Sequence, residues 1–166
     1  MSINKVVVVG GGTMGLDIAQ VFARSGKTVV VRDINDQLIQ AAEARLNKGL
    51  DKLVAKGKMD EAKKAAITGA DLVVEAATEN PVIKKQIFTD LDNICKPEAI
   101  LASNTSSLSI TEIGGATKRP EKVIGMHFFN PATVMKLIEV IRGAKTSEET
   151  YNTVFALSSE VGKEPV

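Results

Sequence analysis

A run of β-branched residues that leads directly into a glycine-rich turn constrains this fold more than any other feature of the sequence. The run is Val6–Val9, which ends a strand predicted over residues 3–9, and the turn reads Gly10-Gly11-Gly12-Thr13-Met14-Gly15. A continuous apolar strand is typical of a parallel sheet that is covered on both faces. An amphipathic pattern over residues 14–25 follows, and Gly26 is placed to end a helix there. We therefore predict a strand–turn–helix unit with a buried strand.

Strand and helix patterns alternate along the rest of the chain. Strands are predicted at residues 28–31, 71–76, 99–102, 122–127 and 136–141. Helices are predicted at residues 36–55, 60–67, 81–93, 109–114 and 147–161. This alternation predicts one α/β domain over residues 1–166, Rossmann-like and doubly wound around a mostly parallel sheet, with a helical excursion at about 36–67.

Composition excludes several functional classes. The 166 residues are 44% hydrophobic and 25% charged, as is usual for a globular domain. A net charge of +1 gives no basis for binding nucleic acid or a membrane surface. Cys95 is the one cysteine and His127 the one histidine, so we expect neither an internal disulfide nor a metal site. With no signal-peptide pattern at the N-terminus, we expect a cytoplasmic protein.

The glycine turn fits a phosphate site. Gly10 would permit the tight turn, Gly12 would let a pyrophosphate approach the backbone, and Gly15 would let the helix pack closely. N–H groups at the start of the helix, around Thr13 and Met14, attract phosphates. In its setting between a buried strand and an amphipathic helix, the turn predicts a dinucleotide cofactor.

An aspartate at the end of the second strand narrows that prediction. Asp33 lies ~20 residues beyond the turn, where a carboxylate accepts hydrogen bonds from the adenosine ribose and repels a 2′-phosphate. We therefore favour NAD over NADP, although Arg32 beside it weakens the preference. The alternative is a structural glycine turn, with Asp33 capping the next helix.

A histidine and a glutamate in the second half suggest proton transfer. His127 follows a strand-like segment, and Glu139 lies within an otherwise apolar strand. A glutamate that accepts from one imidazole nitrogen would orient the ring and raise its basicity. The alternatives are a structural histidine and a glutamate that faces water from an edge strand.

Small polar residues follow the short strand at 99–102. The segment Ser103-Asn104-Thr105-Ser106-Ser107 is predicted at the carboxyl edge of the sheet, where ligands bind in open α/β folds. A capping turn for the next helix explains it equally well.

Several segments in this order resemble the N-terminal half of the 3-hydroxyacyl-CoA dehydrogenase family, in particular its bacterial 3-hydroxybutyryl-CoA type. They are the glycine turn, Asp71-Leu72-Val73-Val74-Glu75-Ala76, Ser103-Asn104-Thr105-Ser106-Ser107, Gly125-Met126-His127-Phe128-Phe129-Asn130-Pro131 and Met135-Lys136-Leu137-Ile138-Glu139-Val140-Ile141. The resemblance covers nearly the whole chain. The His-Phe-Phe-Asn-Pro segment, with its glutamate 12 residues after the histidine, is far more specific than the glycine turn.

The resemblance implies an activity and a role for individual residues. A 3-hydroxyacyl-CoA would be oxidised reversibly to the 3-oxoacyl-CoA, with NAD taking the hydride and His127 the hydroxyl proton. Glu139 would hold and polarise His127, and Ser106 would hydrogen-bond the reacting oxygen.

Other residues are implied to contact the ligands. Asn104 would lie near nicotinamide and substrate, while Glu79 and Lys84 would contact the cofactor. Among the lysines of the helical excursion, Lys52 and its neighbours Lys48 and Lys56 would meet the CoA phosphates. The alternative for these lysines is the solvated face of a helix.

The sequence departs from the family pattern in two places. Relatives continue into a helical domain that provides the dimer interface and much of the acyl pocket. We expect that domain to be absent from this chain, which ends at Val166. The link over residues 58–71 is short, so we expect the usual third strand of the sheet to be missing.

Two further functional hypotheses are an NAD(H)-binding module without turnover and a different β-hydroxyacid dehydrogenase, which would typically use a lysine base.

Overall fold

The computed structural model describes residues 2–33 and 68–166. Seven strands occur within these residues: β1 (Lys5–Val9), β2 (Thr28–Arg32), β3 (Leu72–Glu75), β4 (Ile100–Ser103), β5 (Val123–Phe128), β6 (Leu137–Arg142) and β7 (Glu164–Pro165). Four α-helices accompany them: α1 (Thr13–Arg24), α2 (Pro81–Ile94), α3 (Ile110–Gly115) and α4 (Glu148–Glu160). A short 3-10 helix covers Pro120–Lys122.

The strands form one sheet in the order β2-β1-β3-β4-β5-β6-β7. Its neighbours pair in parallel except β5 and β6, which are antiparallel. The mostly parallel sheet is therefore confirmed, and each predicted strand or helix within the described residues is found with its ends shifted by no more than two residues.

One strand was not predicted. At the start of β7, the N–H of Glu164 donates to the carbonyl of Lys136 at 2.9 Å, and just after it the N–H of Val166 donates to the carbonyl of Ile138 at 3.0 Å. Two residues are too few to show a strand periodicity in a sequence. The pairing protects the outer side of β6, which carries Glu139.

Helices cover both faces of the sheet, which is the predicted doubly wound arrangement. On one face, Phe22 of α1 and Val154 of α4 pack into a core with alternate strand residues such as Val8. On the other face, Phe88 of α2 and Ile113 of α3 pack with the intervening residues. Because β1 contributes side chains to both cores, its continuous apolar run is explained.

Three predictions lie largely or wholly outside the described residues: the helical excursion at 36–67, its lysines 48, 52 and 56, and the shortened link at 58–71. Within the described part, β2 stands at one edge of the sheet and pairs with β1. None of the helices in residues 2–33 and 68–166 is long and apolar enough to cross a membrane.

Candidate functional site

The glycine turn joins β1 to α1 in a conformation that needs glycine at two positions. Gly10 has φ +120°, and a Cβ there would lie 2.7 Å from the carbonyl oxygen of Ala76. A Cβ on Gly15 would lie 1.9 Å from the carbonyl oxygen of Gly10, so the first turn of α1 lies directly against the loop. A Cβ on Gly12, by contrast, would meet no atom within 4 Å. Backbone atoms therefore fill the side of the turn at Gly10 and Gly15, whereas the side at Gly12 is open. α1 begins next to Gly12, at Thr13, with the unpaired N–H groups of a helix start.

Asp33 lies beside this turn. Its Oδ2 accepts a hydrogen bond from the N–H of Gly11, because β2 is parallel to β1 and both strands end at the same edge. The Asp33 carboxylate therefore lies at the glycine turn. A contact with a ribose stays a prediction.

His127 and Glu139 meet across the antiparallel pair of β5 and β6. They are register partners, and Nδ1 of His127 lies 2.7 Å from Oε2 of Glu139. The imidazole is 17% exposed and the carboxylate 43% exposed, while the ring of Phe129 lies 4.7 Å from the imidazole centroid. With Nδ1–H donating to the carboxylate, Nε2 is the nitrogen that can exchange a proton with a ligand. The predicted contact is confirmed.

Asn104 joins the loop after β4 to the strand of His127. Its Oδ1 accepts from the N–H of Phe128 at 2.8 Å, and its own N–H donates to the carbonyl of Glu75 at 2.8 Å. Through its side chain and its backbone N–H, Asn104 therefore joins the ends of β3, β4 and β5.

Neighbouring Thr105 forms a local turn, since its hydroxyl accepts from the N–H of Leu108 at 3.1 Å. The cap of α3 is Ser109, whose hydroxyl accepts from the N–H of Glu112 at 3.3 Å.

Glu79 connects the loop after β3 to the loop after β4. Its carboxylate accepts from the hydroxyl of Thr105 at 2.6 Å and from the N–H of Ser106 at 3.1 Å, and the Ser106 hydroxyl lies 3.4 Å away. Burial raises the pKa of Glu79, but these bonds and the charge of Lys84 outweigh it and hold that pKa below its usual range. Glu79 is thus an ionised, hydrogen-bonded carboxylate at the carboxyl edge of the sheet.

Comparison with known proteins identifies the family. The profile of the family described as "3-hydroxyacyl-CoA dehydrogenase, NAD binding domain" matches residues 5–166. The chain belongs to this family.

Relatives of this family share much of the sequence. A 3-hydroxybutyryl-CoA dehydrogenase of Clostridioides difficile is 49% identical over 98% of this chain and 62% of its own length. A probable 3-hydroxybutyryl-CoA dehydrogenase of Bacillus subtilis is 46% identical over the whole chain and 62% of its own length. The crystal structure of (S)-3-hydroxybutyryl-CoA dehydrogenase PaaH1 from Ralstonia eutropha has a TM-score of 0.86 and 44% identity, over 99% of this chain and 63% of that one. The chain thus spans less than two thirds of these relatives.

Lys84 has contacts that differ from those expected of a cofactor ligand in this NAD-binding domain. Its side chain is 1% exposed, and its ammonium pairs with the carboxylate of Glu75 and lies 3.3 Å from the hydroxyl of Ser103. The expected direct contact with the cofactor stays a prediction, and these interior partners are the contacts found.

Glu75, Ser103 and Thr105 support the site but were not singled out from the sequence. An acidic residue that ends a strand as apolar as Leu72-Val73-Val74 is the signal that could have identified Glu75, since a carboxylate there is costly without a partner. Ser103 and Thr105 are indistinguishable by type from the neighbouring hydroxyl residues.

Two other chemistries find little support. Burial raises the pKa of the Cys95 thiol to about 11, so this side chain is not an activated nucleophile. In the described part of the chain, no group of three or more potential ligands is arranged to hold a metal ion.

Proposed function

We propose that this chain is the NAD-binding and proton-transferring part of an NAD-dependent oxidoreductase that interconverts 3-hydroxyacyl-CoA and 3-oxoacyl-CoA, with 3-hydroxybutyryl-CoA as the short-chain substrate. The observation that carries the proposal is the His127–Glu139 pair, with Nδ1 and Oε2 2.7 Å apart, in the sheet that also carries the glycine turn. The turn by itself supports only a dinucleotide. The pair adds the group that a hydroxyl oxidation requires.

The glycine turn and Asp33 fit the adenosine half of NAD. The space above Gly12 admits a pyrophosphate, and the N–H groups at the start of α1 are donors for it. The Asp33 carboxylate beside the turn suits ribose hydroxyls. When bound, NAD supplies the acceptor for the hydride that leaves C3 of the substrate.

His127 would take the proton of the 3-hydroxyl on Nε2 as the hydride leaves C3, so that the C–O bond becomes a carbonyl. Glu139, bonded to Nδ1–H, would hold the ring in this tautomer and stabilise the imidazolium that forms. The Ser106 hydroxyl, now 3.4 Å from Glu79, would donate to the same substrate oxygen. Asn104 and Glu79 would face the nicotinamide side, and Lys52 the CoA phosphates. In reduction, each transfer runs in reverse.

The experiment pairs an NADH fluorescence titration with an acetoacetyl-CoA reduction assay on this chain and on its His127→Gln variant. We expect both proteins to bind NADH equally and the variant to lose turnover. Unaltered turnover in the variant would remove His127 from the mechanism.

A second function is an NAD(H)-binding module that does not turn over by itself. The observation that favours it is the glycine turn with Asp33 beside it, which supports a dinucleotide and supplies no proton transfer. NADH binding without turnover in the same assay selects this function. Two further predictions belong to the first proposal: the longer form of the protein is a homodimer, and the protein is cytoplasmic.

A further inference from the structure

The backbone connection between β5 and β6 carries the aromatic neighbour of the His127 imidazole. Phe129 directly follows β5, and its ring centroid lies 4.7 Å from that of the imidazole. The two ring planes are inclined at 51°, so the phenyl ring covers part of one side of the imidazole. The position of this connection therefore decides what the imidazole contacts besides Glu139.

Lys163 holds the second part of the connection. Its ammonium donates to the carbonyl oxygen of Ala132 at 2.5 Å and to that of Met135 at 2.8 Å. The N–H groups of Val134 and Met135 both donate to the carbonyl of Pro131, which makes this stretch a hydrogen-bonded turn. One ammonium thus closes the turn from its carbonyl side, as a lysine does at the end of a helix.

Phe129 lies between two attachments of the backbone. On one side, Oδ1 of Asn104 accepts from the N–H of Phe128 at 2.8 Å. On the other side, Ala132 is fully buried, and its carbonyl accepts from Lys163. Because Ala132 follows Phe129 by only three positions, fixing Ala132 restricts where the backbone of Phe129 can lie.

The backbone of Lys163 is itself held in place. Its N–H donates to the carbonyl of Ser158 at 3.0 Å, near the end of α4. The N–H of the next residue, Glu164, donates to the carbonyl of Lys136 at 2.9 Å and begins the pairing of β7 with β6. The ammonium therefore reaches the turn from a backbone that is fixed to a helix and to a strand.

Stability alone is a poor explanation for a lysine at this place. Burial and the charge of Arg24 hold the pKa of Lys163 below its usual value, although Asp17 acts in the opposite direction. An ammonium that loses water pays a free-energy cost that an apolar side chain of similar length would avoid. What an apolar side chain could not supply is a donor for the carbonyls of Ala132 and Met135.

We propose that Lys163 is a positioning residue: by holding the turn after β5, it keeps the ring of Phe129 against the imidazole of His127. A packed neighbour limits the rotation of the imidazole, so that Nδ1 stays on Glu139 and Nε2 stays directed at the substrate hydroxyl. This inference rests on the proposed function for the identity of the substrate. The contact between the two rings does not depend on any ligand.

The test compares three variants: Lys163→Met, Lys163→Arg and Lys122→Met. Methionine removes the ammonium and keeps an unbranched side chain, whereas the guanidinium of arginine can again donate to two carbonyls. Lys122→Met is the matched control, because Lys122 is likewise half-buried and joins β5 to α4 through Glu149, at 3.4 Å. Lys122 precedes the first residue of β5, whereas His127 lies near its end.

The deciding measurement is the proton chemical shift of the imidazole, because the ring current of Phe129 shifts the protons of a ring so close to it. His127 is the one histidine of the chain, so its ring signals are assigned directly. Phe129→Leu supplies the reference shifts without the phenyl ring, and all shifts are compared in the neutral form of the imidazole. In Lys163→Met we expect the shifts to move towards this reference.

Two further measurements follow the turn and the reaction. Amide exchange at Val134 and Met135 should quicken in Lys163→Met, because their N–H groups lie in the turn that the ammonium closes. Turnover of acetoacetyl-CoA should fall by about 10- to 100-fold, as when a reacting group is misplaced by a fraction of an ångström to one ångström. Lys163→Arg should restore the shifts and the turnover, and Lys122→Met should leave all values unchanged.

Unmoved imidazole shifts in Lys163→Met, with quickened exchange in the turn, would overturn the proposal and leave Lys163 a role in stability alone. If Lys163→Met does not fold, Lys163→Gln is the milder variant. Its shorter side chain does not reach both carbonyls, so the shifts should move in the same direction by less, and unmoved shifts would again contradict the proposal. Absence of NADH binding or turnover in the unsubstituted chain would count against the proposed function instead, since the imidazole shifts need no ligand.

Discussion

Nδ1 of His127 lies 2.7 Å from Oε2 of Glu139, and the two residues face each other as register partners on antiparallel strands. Directly opposed residues of such strands project from the same face of the sheet, so strand pairing sets this contact. The pairing of β7 on the far side of β6 adds a further ladder of hydrogen bonds. The carboxylate is therefore presented to the imidazole by the most regular part of the fold.

Glu139→Gln is expected to lower turnover of acetoacetyl-CoA by about 100-fold, in the range that general acid–base catalysis contributes. The amide keeps the size of the side chain but removes the charge that stabilises an imidazolium. NADH affinity should not change. In this chain alone, ¹⁵N NMR of His127 in Glu139→Leu is the matching measurement, because an apolar side chain offers Nδ1–H no acceptor and the neutral ring should lose its preference for the Nδ1–H tautomer.

The control for this substitution is Glu164→Gln, whose side chain on β7 is 71% exposed. It should leave both the turnover and the His127 tautomer unchanged. An unaltered tautomer in Glu139→Leu would show that the Glu139 side chain does not orient the ring.

The sequence predicted the parts of the fold that repeat a local pattern. The β-branched run of β1 is the pattern of a buried strand, and the amphipathic face of α1 is the pattern of a helix. The glycine turn between them has φ +120° at Gly10, a conformation that favours glycine. β7 left no such pattern, because its pairing with Leu137 and Ile138 involves two residues. The His127–Glu139 contact was predictable because one unusual acidic residue stood in an apolar strand.

The contact between Lys84 and Glu75 was not predictable in the same way. Lys84 lies on α2, where a lysine is ordinarily solvated, and only the packing of that helix against β3 brings it to Glu75. The resemblance to the family implies that Lys84 contacts the cofactor, and this stays a prediction beside the interior partners found for its ammonium. A contact between a helix and a strand depends on how the helix packs on the sheet, which a single sequence does not encode in its local pattern.

Asp33→Asn is expected to reduce the preference for NADH over NADPH by about tenfold, because removing the carboxylate removes its repulsion of a 2′-phosphate. The amide oxygen can still accept from Gly11, so the turn should be preserved. The measurement is the ratio of the two dissociation constants by fluorescence titration. Asp90→Asn, on the exposed side of α2, is the control and should keep the original ratio. An unchanged ratio in Asp33→Asn would mean that Asp33 does not face the ribose.

Gly15→Ala should destabilise the protein by about 1–3 kcal/mol, since the added methyl group must displace a tightly packed backbone. That methyl would begin 1.9 Å from the carbonyl oxygen of Gly10. Gly115→Ala is the matched control, because its Cβ would meet no atom within 4 Å at the end of α3. We expect it to be neutral or to stabilise by about 0.5 kcal/mol. Urea unfolding at 25 °C measures both, and equal stability of the two variants would show that α1 does not lie against the turn.

Asp71 is expected to make stability fall in acid. Burial raises its pKa, but the bonds from Lys96 and from the N–H groups of Lys5 and Asn4 outweigh that effect and hold the pKa below its usual value. A carboxyl whose pKa is lower in the folded state stabilises the protein above its unfolded pKa, and this contribution is lost as the pH falls through the folded pKa. Asp71→Asn should therefore lower the free energy of unfolding near pH 7 by about 1–3 kcal/mol, as for hydrogen bonds to a charged group.

The difference between the two proteins should shrink as the solution is acidified, because protonated Asp71 and asparagine are alike in charge. Urea unfolding of both proteins at intervals between about pH 7 and pH 2 measures this difference in the free energy of unfolding. The internal control is that the two free energies approach each other below the unfolded pKa of the aspartate. A difference that stays constant over this range would assign the effect of Asp71 to shape or neutral hydrogen bonding. The start of β1 and the start of β3 would then be joined without a contribution from the charge.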